Sequence, residues 1–441
     1  PYTFTGGSFP GTAGTRAATN NAGAECDIDV TFAPTSAVVS NDTIDINFND
    51  GAALQTSSRD VTGTGITPAL LTLSESDPYN YGLIANNGTT NYAFTITNSG
   101  GSTATAMAET GLAAPFNFLG GGYPGTGGDC GLSLAAAGTC TIVVEFAPTA
   151  LGPFADTINI SYNNGAAAQN ATRDIQGTSG APASLDIAGA DPYDYGTQAN
   201  GSTTTNIFVV TNSGAVSATS VADGAGLAAP FAYVGGSYPG TGGNCGATIA
   251  AGASCNLDIQ YNPSATGILT DTIVVNYDDG AGAQALNHGV QGTGATPATI
   301  TITESDPYDY GNVTQGASAT RVFTLNNTGG VPAPSISDLG IAATFDFTGG
   351  PFPGTTGTCP ATLASAVTCD IDVAFSPTGT GLLSDTISIQ YNNGAGTVTS
   401  DRDVQGTGIA PAILTISNGP GNYDYGTVPT GSTNQFTFTV N

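Results

Sequence analysis

The chain has 441 residues, of which 39% are apolar and only 9% charged, and the charge is lopsided: 33 acidic residues stand against five basic ones, for a net charge of −28. All five basic residues are arginine, so there is no lysine for a Schiff base, a phosphate-cradling loop or a lysine–asparagine isopeptide link, and so acidic a surface repels nucleic acid and anionic membranes. No apolar run approaches the roughly 18 residues of a membrane span, and Val, Ile, Tyr and Phe recur with a strand spacing that sets the chain apart from disordered acidic sequences.

The same block comes round four times. Tyr-Gly recurs at Tyr81, Tyr195, Tyr310 and Tyr425, in steps of 114, 115 and 115. Such a period belongs to whole domains, because solenoid units run to about 20–50 residues. It divides the chain into a partial domain at 1–66, complete domains at 67–181, 182–296 and 297–410, and a second partial domain at 411–441. The two partial pieces are in complementary register. Thr5-Gly6-Gly7 matches Thr348-Gly349-Gly350 and Asn441 matches Asn326, so joining one C-terminus to the next N-terminus would leave out only positions 327–343, or 17 residues. The expectation is a unit that fits an endless series. A start that carries neither an initiator Met nor a signal peptide points to processing or cropping.

In chain order, the first 66 residues hold a Gly-rich stretch, Gly6-Gly7-Ser8-Phe9-Pro10-Gly11, and a lone Cys26. The block from Pro68 serves as the type. A short apolar segment, Ala69 to Leu73, leads into Asp77-Pro78-Tyr79-Asn80-Tyr81-Gly82, whose Pro and Gly mark a turn. Asn91 to Asn98 alternates, with Tyr92, Phe94 and Ile96 on one face, and stops at Asn98-Ser99-Gly100, which reads as a strand followed by a turn. After a Gly-rich insertion carrying Tyr123-Pro124-Gly125, two more stretches alternate, Thr139 to Phe146 and Asp156 to Tyr162. The latter places Ile158, Ile160 and Tyr162 inward, with Asp156, Asn159 and Ser161 outward. No helical period of useful length occurs. Short strands between turn signals predict an all-β chain of tandem Ig-like β-sandwich domains. A proline stands at every junction, Pro68, Pro182, Pro297 and Pro411, and its fixed φ predicts a semi-rigid head-to-tail rod.

Cys130 and Cys140, Cys245 and Cys255, and Cys359 and Cys369 share one spacing at one repeat position. Zinc is a poor reading, since each pair lacks two further ligands. Three repeated local disulfides fit an oxidising, extracytoplasmic location. A bridge closing so short a loop contributes roughly 2–3 kcal/mol in the chain-entropy account. Arg16 occupies the partner position of Cys26, which leaves this thiol free or intermolecular.

The order Tyr-Gly, Asn-Ser-Gly, Cys-x9-Cys-Thr-Ile-Val-Val-Glu-Phe-Ala-Pro-Thr, Asp-Thr-Ile-Asn-Ile and Gln-Gly-Thr resembles the ASH/Hydin-like immunoglobulin-like domain. More closely, it resembles the versions in secreted bacterial proteins of the choice-of-anchor D type. The matching stretches are Cys140 to Thr149, Cys255 to Pro263, Cys369 to Thr378 and the half-block Cys26 to Thr35. The resemblance covers nearly the whole chain and implies some seven strands in two sheets, with roles in surface display, adhesion or scaffolding. It brings no catalytic residues. The Gly-rich insertion before each first Cys departs from that family's compact pattern and leaves the loop's role open.

The only imidazole, His288, occupies a slot held by Arg59, Arg173 and Arg402 in the other blocks. A shared slot reads as a cationic structural position facing carboxylates rather than a general base. The Gly-rich insertions lack the Lys and helix signal of a phosphate cradle, and Pro-Gly suits the centre of a type II turn. Their aromatics, Phe9, Tyr123, Tyr238 and Phe352, are candidate contacts to another chain; the alternative tucks each against its own domain. Acidic clusters around Asp77, Asp191 and Asp306 follow each junction proline. Together with the preceding domain's Asp174 or Asp403 they are candidate calcium ligands, the alternative being plain turn residues, and no other cofactor is expected.

Phe438 stands at the repeat position of Phe94, Phe208 and Phe323, so the last residues supply opening strands that the first 66 lack. These readings predict a non-enzymatic structural subunit of an extracellular or cell-surface fibre that associates with itself head to tail. The C-terminal strands of one unit would complete the N-terminal partial domain of the next, unless the covalent chain itself continues. The alternative is the stalk of a large adhesin that presents a binding domain lying outside these residues.

Overall fold

A computed structural model describes residues 1–16 and 18–441. Among the described residues all regular elements are strands, and no helix is long and apolar enough to cross a membrane. The first 66 residues form β1 (Tyr2–Phe4), β2 (Val30–Phe32), β3 (Val39–Asn49) and β4 (Leu54–Thr64). The next block forms β5 (Leu71–Leu73), β6 (Tyr79–Ala85), β7 (Thr90–Asn98), β8 (Thr105–Glu109), β9 (Phe116–Phe118), β10 (Thr139–Phe146), β11 (Gly152–Asn163) and β12 (Ala168–Gly180).

One sheet of this block has the order β5-β7-β10-β9 and the other β6-β12-β11-β8. With β5 and β6 as strands A and A′, the sheets read ABED and A′GFC, which is the immunoglobulin arrangement. Neighbours are antiparallel except β6 and β12, which run parallel from Tyr79 beside Ile175 to Ala85 beside Gly180. Residues 182–296 and 297–410 repeat both strand orders.

The alternation read from the sequence makes the core, because a period of two sends every second side chain between the sheets. Phe94 and Ile96, Ile142 and Val144, and Ile158 and Ile160 are wholly excluded from solvent. Phe116 stacks on Phe146 at 4.8 Å, and the Tyr81 ring lies 5.8 Å from both. The Tyr81 hydroxyl donates to the Val144 carbonyl at 2.9 Å, tying one sheet to the other. Tyr195 and Tyr310 donate in the same way to Ile259 and Val373, each at 3.0 Å. The Tyr of the repeat marker therefore fills the core with its ring and clamps the sheets with its hydroxyl.

The Asn-Ser-Gly turns, Asn-Thr-Gly in the third complete domain, hold a second clamp. Asn98, Asn212 and Asn327 are fully buried. Asn98 Oδ1 accepts from the backbone N–H of Leu70 and of Gly100, both at 3.1 Å, while Nδ2 donates to the carbonyls of Ser102 at 2.9 Å and Leu134 at 3.1 Å. One amide thus stitches β5, the end of β7 and the loop before β10. A Cβ added to Gly100 would lie 2.1 Å from the carbonyl oxygen of Pro68, so the turn presses against the junction proline and only glycine fits.

Residues 1–66 hold only the counterparts of β9 to β12. There β1 pairs with β2, and β3 with β4. Ile28, at the position of buried Ile142, is 37% exposed, and an apolar cleft of about 330 Å³ opens between the two strand pairs, lined in part by Tyr2, Phe4, Val30, Ile44 and Val61. Residues 411–441 hold the counterparts of β5 to β7. Ile416 bridges Val440, repeating the pairing of Leu73 with Ile96. Tyr423 lies 4.2 Å from Phe436 and 5.2 Å from Phe438, as Tyr79 lies 4.4 and 5.1 Å from Tyr92 and Phe94. Yet Leu414, Ile416, Phe438 and Val440 are all exposed.

Candidate functional site at the domain junctions

Contacts between blocks repeat as closely as the blocks do. The end of β6 carries Ala85 onto a hairpin of the following domain: a Cβ placed on Gly280 would lie 2.9 Å from the Ala85 Cβ and 3.3 Å from Val216 Cγ2. At the next junction, a Cβ on Gly394 would lie 2.6 Å from the Ala199 Cβ and 3.3 Å from Val331 Cγ2. Ala85 and Ala199 are buried, and Ala199 belongs to the apolar core of the domain that follows its own. With φ of +89° and +93°, Gly280 and Gly394 suit glycine for their backbone conformation as well as for this close approach. At the first junction the corresponding residues are Gly165 and Ser102, and nothing enters between them. A groove of about 830 Å³ runs there, lined in part by Pro34, Ile66, Pro68, Ser102 and Gly165.

The acidic clusters are not part of these junctions. Asp77 and Asp174 lie in one domain, where Asp77 Oδ1 accepts from the Asp174 backbone N–H at 3.0 Å. The Arg173 guanidinium is 3.7 Å from Asp77 Oδ2 and donates to the Leu73 carbonyl at 2.7 Å. Asp306 makes the same pair with Arg402 at 3.4 Å and accepts from the Asp403 N–H at 3.2 Å. Asp191 accepts from the Gly289 N–H at 2.7 Å, beside His288, which is buried with its ring against Phe208. Asp77, Asp191 and Asp306 are thus engaged as anchors within their own domains, the arrangement of the plain turn reading given beside the calcium one. No group of three metal-capable side chains forms among the described residues. Chelation is expected to leave the melting temperature unchanged, and a calorimetric scan with a downward shift in chelator would favour the calcium reading.

The Gly-rich insertions are ordered hairpins. Each turn closes one residue earlier than the type II reading placed it: the Gly125 N–H donates to the Gly122 carbonyl at 2.7 Å, with a cis Tyr123–Pro124 peptide at its centre. The Pro124 carbonyl then accepts from the Val143 N–H at 2.8 Å, which pins the loop to β10. Each aromatic packs edge-on against a ring of its own domain. Tyr123 lies edge-on to Phe118 at 5.6 Å, Tyr238 to Tyr233 at 5.5 Å, Phe352 to Phe347 at 5.4 Å and Phe9 to Phe4 at 5.1 Å. Burial holds the Tyr123 and Tyr238 phenols above the ordinary tyrosine pKa. Phe9 is the most open of the four, with the Arg16 guanidinium 4.7 Å above its ring.

Three disulfides join Cys130 to Cys140, Cys245 to Cys255 and Cys359 to Cys369, each tying the end of the insertion to the start of the adjoining strand. Cys26 is free and half-buried. Phe438 lies in the exposed terminal segment, outside every closed core.

No family model and no curated protein matches the chain. Among solved structures, extracellular cadherin domains 1–4 of protocadherin gamma B7 align at 10% identity over 83% of each chain, with a TM-score of 0.28. Immunoglobulin domains 1–5 of Sidekick-1 align at 11% identity over 87% of this chain and 69% of that one, with a TM-score of 0.26. Drosophila N-cadherin domains EC1–4 align at 7% identity over 85% and 84%, with a TM-score of 0.23. Likenesses this distant carry no argument about function. The fold rests on the strand order itself, which makes this a chain of tandem Ig-like β-sandwiches.

Proposed function

We propose that this chain is a structural subunit of an extracellular bacterial filament, and that units join head to tail when residues 411–441 of one complete the sandwich begun by residues 1–66 of the next. The observation that carries the reading is the match between two open halves. One presents the pairing and aromatic cluster of strands A, A′ and B with no opposing sheet, and the other presents the D, E, F and G counterparts around an open cleft. An exposed sheet edge over an unfilled core is a liability for an isolated chain and an invitation to strand addition. Contact between unlike surfaces does not close on itself and so gives a filament.

The disulfides support an oxidising location outside the cytoplasm, and the sequence resemblance to choice-of-anchor D proteins supports a bacterial cell surface. Catalysis has no place in this reading, since the single imidazole packs on a phenylalanine. The test is electron microscopy and sedimentation of the 441-residue chain. Concentration-dependent filaments with a four-domain axial repeat are expected, and a monodisperse monomer at all concentrations would sink the proposal. Filaments that assemble only from a longer chain would instead favour the covalent array or adhesin stalk.

A further inference from the structure

We infer that the groove beside Gly165 is a socket for the turn Val428-Pro429-Thr430 of a second copy of this chain. The inference rests on the head-to-tail reading and names one contact within it. At both occupied junctions an alanine enters between a hairpin glycine and a valine: Ala85 meets Gly280 and Val216, and Ala199 meets Gly394 and Val331. At the open groove the glycine is kept as Gly165, with φ of +97°, but Ser102 stands in place of the valine. In the repeat register, the residue of the terminal segment at the alanine position is Pro429.

The bulk has changed sides. Where an internal junction pairs a small Ala with a larger Val, this one pairs a larger Pro with a small Ser. The pyrrolidine ring takes up room that Ser102 leaves, which keeps the joint close-packed. The Ser102 hydroxyl donates to the Asn164 carbonyl at 3.0 Å, so an apolar guest would not strip it of its partner. The socket therefore fits the terminal turn better than it fits an internal one, and the interface it continues is already formed twice in the same chain.

Reciprocal exchange on the full chain tests this by sedimentation. Ser102→Val is expected to weaken self-association about tenfold by crowding Pro429, and Pro429→Ala a few-fold by leaving a void. The double variant rebuilds the Ala–Val pairing of the internal junctions and is expected to return to within about threefold of the native chain. Valine already stands at this position in two domains, and an unchanged melt verifies that each variant folds. Rescue supports the socket. Losses that merely add, or single variants without effect, overturn it while association of the native chain upholds the head-to-tail reading. A native chain that never associates overturns both.

Discussion

Removing residues 411–441 is expected to abolish end-to-end association while leaving three folded domains that melt as before. The complete sandwiches do not lean on the segment: their cores close without it, and nearly every one of its residues is exposed. What truncation removes is an unpartnered face of Leu414, Ile416, Tyr423, Phe436, Phe438 and Val440. Each such side chain contributes about 1.5–3 kcal/mol on full burial, and all are lost together.

The slots waiting in residues 1–66 are specific. In complete domains Arg173 and Arg402 donate to the carbonyls of Leu73 and Ile302. Arg59 holds the same slot, and in joined units the register would set the Ile416 carbonyl opposite it. In joined units the same register would set the Tyr425 hydroxyl against the Val30 carbonyl, as Tyr81 meets Val144. Sedimentation of the truncated chain should give one species at the truncated mass at every concentration. Filaments formed without the segment would refute strand completion as the joint.

Replacing Asn212 with alanine is expected to destabilise the second domain by about 3 kcal/mol, which for a domain of this size lowers its transition by roughly 10 °C or more. Asn212 Oδ1 accepts from the N–H of Ser184 at 3.1 Å and of Gly214 at 3.0 Å, and Nδ2 donates to the carbonyls of Val216 at 2.9 Å and Ile249 at 3.1 Å. Alanine leaves these backbone groups in a dry environment without a partner, and unmet buried groups cost more than a made hydrogen bond gains. Ser217→Ala, at an exposed position in the same loop, should stay within about 0.5 kcal/mol. Calorimetry on both variants decides the matter. Equal, small losses would reduce Asn212 to an ordinary turn former.

The domain period, the inward faces of the strands and the cysteine pairs could all be read from the chain, because each is expressed by residues near one another in sequence. Alternation of Ile158, Ile160 and Tyr162 is a local consequence of the pleat, and a ten-residue Cys spacing closes its own small loop. The partition of strands into two sheets was not legible. Neither was the contact of Asp77 with Asp174, which meet across 97 residues within the domain 67–181.

The buried amide of Asn98 looked like any turn asparagine, because the carbonyl it serves at Leu134 lies 36 residues away. The Ala85–Gly280 contact was hidden for the same reason. A small or aromatic side chain has no sequence signal for which surface it will meet. Local periodicity decides which way a side chain points, and only the packing of distant strands and neighbouring domains decides what it touches.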